Sequence, residues 1–426
     1  MIAQLFCLTA GSGLPLLARK KGETEMLPFS HVASLNGVHL FAKSHQVTLR
    51  TTVTQDATLY WKDYFDSVTL IAVASAVSSQ IVEKFLDSVF NGMVLCLGIE
   101  EMTNIRNPER LKRELRITHK LLDKLFECLE CGERGGVPGK GPAQKSTAGD
   151  IIEFVETILC QENHALQGCL ENFVEAVESL YGCVTVHGKL AVATRSWWEL
   201  DNEEKKLLNA LISVLNANST SSDVPVFLPR KSPSVPFRLV TLRVINGIEI
   251  STLCGPSPSL SEIEQSVLHV WRSAIELLRS AEKTYPRNFP VAVSLDPNVL
   301  GFLLVNLTDG KFLISRNQSK KESCSLSGSH RLNILRTFYY RSASVFLMND
   351  GDRRGKFGDD AGNADPESER LASESYWCSE YHKCHALRNG PNLICVLYAA
   401  SVPTHTMRIL TRHCLKMLTT EKSYGW

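Results

Sequence analysis

Phe302-Leu303-Leu304-Val305-Asn306-Leu307, Thr308-Asp309-Gly310, Lys311-Phe312-Leu313-Ile314 is an apolar run, a glycine turn and a second apolar run. Asp-Gly between β-rich runs signals a hairpin, because glycine accepts the positive φ of a tight turn. The same phrase stands twice earlier in the chain. Gln4 to Leu8 and Leu14 to Ala18 flank Gly11-Ser12-Gly13, and Cys183 to Val186 and Lys189 to Ala193 flank His187-Gly188. The interval between copies is far longer than a solenoid repeat. Three copies of one domain are therefore expected.

Around each hairpin the pattern continues with strands and then helices. In the first block Val47 to Leu49, Leu59 to Trp61 and Val68 to Val73 read as strands. Ile81, Val82, Phe85, Leu86, Val89, Phe90 and Met93 then repeat at helical spacing. Asn107 can cap a further helix with Pro108 at its first position, its apolar face running from Leu111 to Leu129. In the second block Leu239 to Val244 and Ile248 to Leu253 form a hairpin across Asn246-Gly247. A helix is expected from Ser261, with Glu264 completing a capping box and Ile263, Val267, Trp271, Ala274 (or Ile275) and Leu278 buried. In the third block Leu332, Leu335, Phe338 and Tyr339 mark a helix, Leu393 to Tyr398 a strand, and Met407, Leu410, Cys414 and Leu418 the closing helix. The expected class is α/β (α+β): three domains, each an antiparallel sheet sandwiched by helices.

The boundaries follow from composition. The first domain spans residues 1–131, a Gly-, Pro- and Lys-rich linker 132–149, the second domain 150–285, a second linker 286–297 and the third domain 298–426. Residues 349–375 are polar and read as a disordered insertion in the third domain. Lys+Arg number 46 against Asp+Glu 45, so the charge carries no footprint for nucleic acid. Thirteen cysteines, an odd number set mostly in apolar runs, point to buried free thiols and a reducing compartment. The apolar start, Ile2 to Ala18, is broken by Gly11-Ser12-Gly13 and Pro15 and has its basic residues after it, unlike a signal peptide.

Several local words resemble the Fuzzy family. They are Leu27-Pro28-Phe29-Ser30 with Ser34-Leu35-Asn36-Gly37-Val38-His39, Thr103 to Lys112, Trp197-Trp198, Val226-Phe227-Leu228-Pro229 with Ser232 to Pro236, and Leu253 to Pro258. The resemblance implies three longin-like domains, as in the heterodimeric exchange factors of Rab-type small GTPases. It further implies an Inturned-like subunit as heterodimer partner, a Fritz-like subunit, and a planar polarity effector complex at the basal body of cilia. In such heterodimers the first domains of both subunits pair and present the GTPase surface. That points here to Pro28 to Gly37, with Ser34, Asn36 and Gly37, and also Asn104 and Arg106, as partner- or GTPase-facing residues; Trp197 and Trp198 either pack in the core under the helix that follows them or anchor an interface. An exchange factor needs no acid, base or nucleophile, since it acts by binding the empty GTPase more tightly than the loaded one. Accordingly no catalytic residue, metal or cofactor is expected. The alternative is a scaffold that binds a GTP-loaded GTPase without exchanging it.

Other motifs carry blander readings. Gly135 to Gly141 misses the phosphate-loop pattern, because Arg134 and Gly141 stand where Gly and Ser or Thr are needed. Cys128-Leu129-Glu130-Cys131 could pair with Cys378, His382, Cys384 and His385 as a zinc site, but helix and strand patterning suits them better as ordinary residues. No signature accompanies a cysteine nucleophile. Arg110, Lys112, Arg113, Arg116 and Lys120 crowd one helix; they form a solvated face with Glu109 and Glu114, or meet anionic phosphoinositide headgroups.

Overall fold

In the computed structural model the described residues are 2–21, 25–75, 77, 79–128, 154–215, 220–315, 328–340, 373–420 and 426. The first hairpin joins β1 (Ile2–Thr9) to β2 (Pro15–Lys20). Gly13 closes the turn at φ +68°, where a side chain would be strained and would collide with the amide of Asn36. After it come α1 (Phe29–Ser44), β3 (Thr51–Val53), β4 (Thr58–Tyr64) and β5 (Val68–Ala74). The chain continues through α2 (Ser79–Leu97), α3 (Ile99–Thr103), α4 (Pro108–Glu114), a 3-10 turn (Leu115–Thr118) and α5 (His119–Cys128). The strands form an antiparallel sheet in the order β2-β1-β5-β4-β3.

Alternation along the strands divides the core. Phe6, Leu8, Leu59, Trp61 and Ile71 pack with Val32 of α1 on one face. On the other face Tyr64 stacks on Phe90 of α2 with ring centroids 4.2 Å apart. Period-two side chains thus bury both faces of the sheet.

The topology recurs. After the short strand β6 (Val155–Glu156) and α6 (Asn163–Ala176), the second domain runs β7 (Tyr181–Val186), β8 (Lys189–Ala193), α7 (Arg195–Trp198), α8 (Asn202–Leu215), β9 (Ser221–Leu228), β10 (Ser232–Ile245), β11 (Ile248–Cys254), α9 (Leu260–Trp271) and α10 (Ile275–Glu282). Its sheet order, β8-β7-β11-β10-β9, repeats that of the first. The third domain is β12 (Val299–Asn306), β13 (Lys311–Ile314), α11 (Gly328–Phe338), β14 (Glu374–Cys378), β15 (His382–Asn389), β16 (Asn392–Ala399) and α12 (Thr404–Thr420). Leu303, Val305 and Ile314 face α11 through Leu335 and Phe338. Phe302, Leu304 and Val396 face α12 through Met407, Cys414 and Leu418. The predicted antiparallel sheets between helices are therefore found.

Several expectations change. The third strand lies at Thr51–Val53, not Val47 to Leu49, because pairing begins only where the Arg50 carbonyl accepts from Trp61 N–H. The helix expected from Ser261 begins at Leu260, with Ser259 and Glu262 as its cap pair. The sequence holds two overlapping S-x-x-E registers, and the helix uses the one nearer Pro258. The apolar face from Leu111 to Leu129 is split between α4, the 3-10 turn and α5.

The boundaries also move. β6 joins the third sheet, parallel to β13, and Thr157 N–H donates to the Phe312 carbonyl at 2.8 Å. Residues 154–164 thus belong with the third domain instead of the second. The stretch 286–297 is no free linker: Phe289 and Val293 are buried in the third core and Asn288 donates to the Ile314 carbonyl at 2.9 Å. The 349–375 insertion ends earlier than expected, since Glu374 opens β14. Residues 132–149 and 349–372 lie outside the described residues.

Contacts divide the chain into two units, one holding the first and second domains and the other the third domain with 154–164. Within the first unit, α8 packs on α2 and α5. Lys206 donates to Ser88 Oγ at 2.6 Å and pairs with Glu203 at 3.0 Å. Leu207 meets α2 at Gly92, and Gly98 (φ +84°) leaves room for the Phe227 ring of β9. No described helix is long and apolar enough to cross a membrane.

Candidate interaction site on the first domain

The site grows from α1, a helix whose pattern is inverted. Its inward face carries Val32, Asn36 and His39, all buried. Its outward face carries Val38 at 57% exposure and Phe41 at 67%, while Phe29, 59% exposed at the first helical position, lies about 180° round the helix from Val38. Burying polar groups while exposing aromatic ones is unfavourable for an isolated domain unless the polar groups find partners. His39 does: its Nε2 donates to the Asp63 carboxylate of β4 at 3.0 and 3.1 Å. Lys43 donates to Asp63 at 3.1 Å and to Asp66 at 2.7 Å, and Thr69 Oγ1 donates to Asp63 at 2.6 Å. Burial by itself would raise the Asp63 pKa; the bonds from Thr69 and Lys43 and the nearby His39 outweigh it and hold the carboxyl below its usual range. Bonds to Asp66 and Asp63 hold the Lys43 ammonium above its ordinary value. One carboxylate thereby pins α1 to the sheet.

Beside α1 the surface continues. Phe41 packs on His45 with ring centroids 4.4 Å apart, Val47 is 59% exposed, and the edge strand β3 ends in Val53 at 77%. The topologically equivalent helices differ. α8, which follows the hairpin of the second domain, has no exposed residue from Asn202 to Leu215, because α2 and α5 cover it. α11 likewise has none from Arg331 to Phe338. Of the three equivalent helices, α1 is the one with an open apolar face.

The residues expected to meet a partner occupy several elements. Ser34 and Gly37 lie exposed on α1, with Ser34 Oγ donating to its own helix at Ser30. Asn36 is buried beneath the β1–β2 turn, so its side chain offers no surface. Asn104 and Arg106 are exposed between α3 and α4. Trp197 is 1% exposed and belongs to the second core. Trp198 is half-buried, and its carbonyl accepts from Lys205 Nζ at 3.0 Å. Val38 and Phe41 lie just beyond the segment Pro28 to Gly37 to which the sequence points. The signal that could have found them is the apolar residues set on the wrong side of Asn36 and His39.

The basic residues Arg110, Lys112, Arg113, Arg116 and Lys120 are all exposed, and Arg110 forms an i,i+4 pair with Glu114 at 2.7 Å. Ile117, 60% exposed, stands among them. The zinc grouping fails on geometry: Cys384 faces α11, while neighbouring His385 points to the opposite face and bonds Thr411 at 2.7 Å. Cys131 lies outside the described residues. Burial pushes the Cys7 thiol up to about 12, the opposite of nucleophile activation.

Residues 3–125 match the first longin domain of FUZ, MON1 and HPS1, residues 177–272 the second, and residues 298–422 the third. "Protein fuzzy homolog" of Xenopus tropicalis is 33% identical over 430 residues, 97% of each chain. The homologs of Rattus norvegicus and Homo sapiens are each 34% identical, again over 97% of both chains. With three matched domains and full-length relatives, the chain belongs to the Fuzzy family of three-longin-domain proteins.

Proposed function

We propose that this chain is one subunit of a heterodimeric regulator of a Rab-type small GTPase, and that α1 with β3 is its docking surface. The observation that carries the reading is the open face of Val38 and Phe41, on a helix whose counterpart α8 is covered by helices of a neighbouring domain. Membership of a family shared with MON1 and HPS1 supports it. The partner is an Inturned-like subunit, with a Fritz-like subunit completing a cytoplasmic assembly at the ciliary basal body. There it serves cilium formation, intraflagellar transport, planar polarity and Hedgehog signalling. No catalytic side chain is needed, because exchange follows from preference for the empty GTPase.

The test is release of a fluorescent guanine nucleotide from a panel of Rab-type GTPases by this chain, by the Inturned-like partner, and by the co-purified pair. Acceleration by the pair alone is expected. A stable pair that retains GTP-loaded GTPase without acceleration would replace exchange with an effector scaffold.

A second reading rests on Ile117. An exposed apolar residue ringed by Lys112, Arg113, Arg116 and Lys120 suits the interface of an anionic membrane. Flotation with phosphoinositide vesicles should weaken in Ile117→Asp; flotation without phosphoinositide dependence would discard this reading.

A further inference from the structure

The third domain carries a groove of about 490 Å³ along the last turns of α12, where β14 begins and β15 ends. Buried Leu387 and Leu415 form its floor. Arg412 and Lys416 rise on the helix side, with Arg388 and Asn389 opposite. α12 has no acidic residue between Thr404 and Thr420. The exposed cations Arg408, Arg412 and Lys416 follow one another every four residues, about 6 Å apart along the axis. Among the described residues the one anion lining the groove, Glu374, is already engaged: it accepts from Arg408 at 2.8 Å, Arg412 at 3.1 Å and the Tyr376 hydroxyl at 3.0 Å. That carboxylate fixes the two guanidinium groups, while Arg412 stays 58% exposed.

We propose that this groove binds an extended segment of a partner protein in which acidic residues alternate with apolar ones. Alternate residues of an extended chain stand about 6.6 Å apart, close to the spacing of the cation row. A leucine floor between cationic walls suits an apolar side chain flanked by carboxylates. It would add nothing for a bare phosphate. Among the described strands β14 stands at the edge of its sheet, and its first residue, Glu374, lines the groove. This site is independent of the GTPase reading and of α1.

The test uses the full chain and a fluorescein-labelled hexapeptide alternating Glu and Leu, followed by anisotropy. Saturable binding that weakens as salt rises is expected. Lys416→Glu, which leaves the Glu374 contacts in place, should weaken it about tenfold, and adding Arg412→Glu should weaken it further. The second-domain control Arg272→Glu/Arg279→Glu should bind as wild type, and circular dichroism should show every variant folded. Equal binding of the Gln-for-Glu peptide, or unchanged binding by Lys416→Glu, would overturn the proposal. So would saturable binding to phosphoinositide vesicles alone.

Discussion

Asp63 concentrates the physics of the first domain in one side chain. It receives His39 and Lys43 from α1 and Thr69 from β5, so both elements depend on its charge. Asp63→Asn keeps the shape and removes the charge. Hydrogen bonds to charged groups contribute about 1.5–3 kcal/mol, so a loss of about 2 kcal/mol in urea unfolding is expected. The pH dependence has a definite sign. The folded-state pKa is depressed, so the carboxylate stabilises the fold fully above the unfolded value of about 4. The contribution disappears as pH falls through the lower folded value. Unfolding measured across this acid range should therefore show wild type and Asp63→Asn converging at the lowest pH. A constant gap would refute the assignment. Nothing in the sequence announced this residue, because Asp63 and His39 meet only once α1 crosses the sheet.

At the scale of elements, legibility followed periodicity. The three hairpins, α2 and the closing helix α12 were readable because strand alternation or a buried helical stripe marks them. α1 was not read as a helix, since Asn36 and His39 face inward and Val38 and Phe41 outward, which blurs the 3.6-residue signal. β6 was missed because two residues carry no period, and only β13 gives them a place. The feature that hid α1 is also the one on which its proposed docking role rests. Phe41→Ser with Val38→Ser should change the stability of the isolated chain by no more than about 0.5 kcal/mol, as for ordinary surface positions. The same pair of changes should weaken capture of the Inturned-like subunit or of the GTPase at least about tenfold, the effect of losing a central apolar anchor. Thermal unfolding and co-purification read the two outcomes separately. A large loss of stability would mean the face supports the fold itself.

At the scale of the molecule, a repeated topology is put to different uses. The second domain spends its α8 face on the helices of the first, with Leu207 against α2 and buried Lys206 bonded to Ser88. Leu207→Ala should cost about 2–5 kcal/mol, as buried leucine truncations do. Because the contact is shared, hydrogen exchange should rise in α2 and α8 together, with the third sheet unaffected; a rise confined to α8 would deny that the two domains fold as one unit.

α1 is the proposed docking surface, with Val38 and Phe41 open in the chain alone. Hydrogen–deuterium exchange by mass spectrometry, comparing the chain alone with its complex containing the Inturned-like subunit and the GTPase, tests this most directly. The account predicts new protection across Phe29–Ser44 and Thr51–Val53, with α8 unchanged because it is already covered. Undiminished exchange in α1, with protection appearing on another face of the first domain, would contradict it.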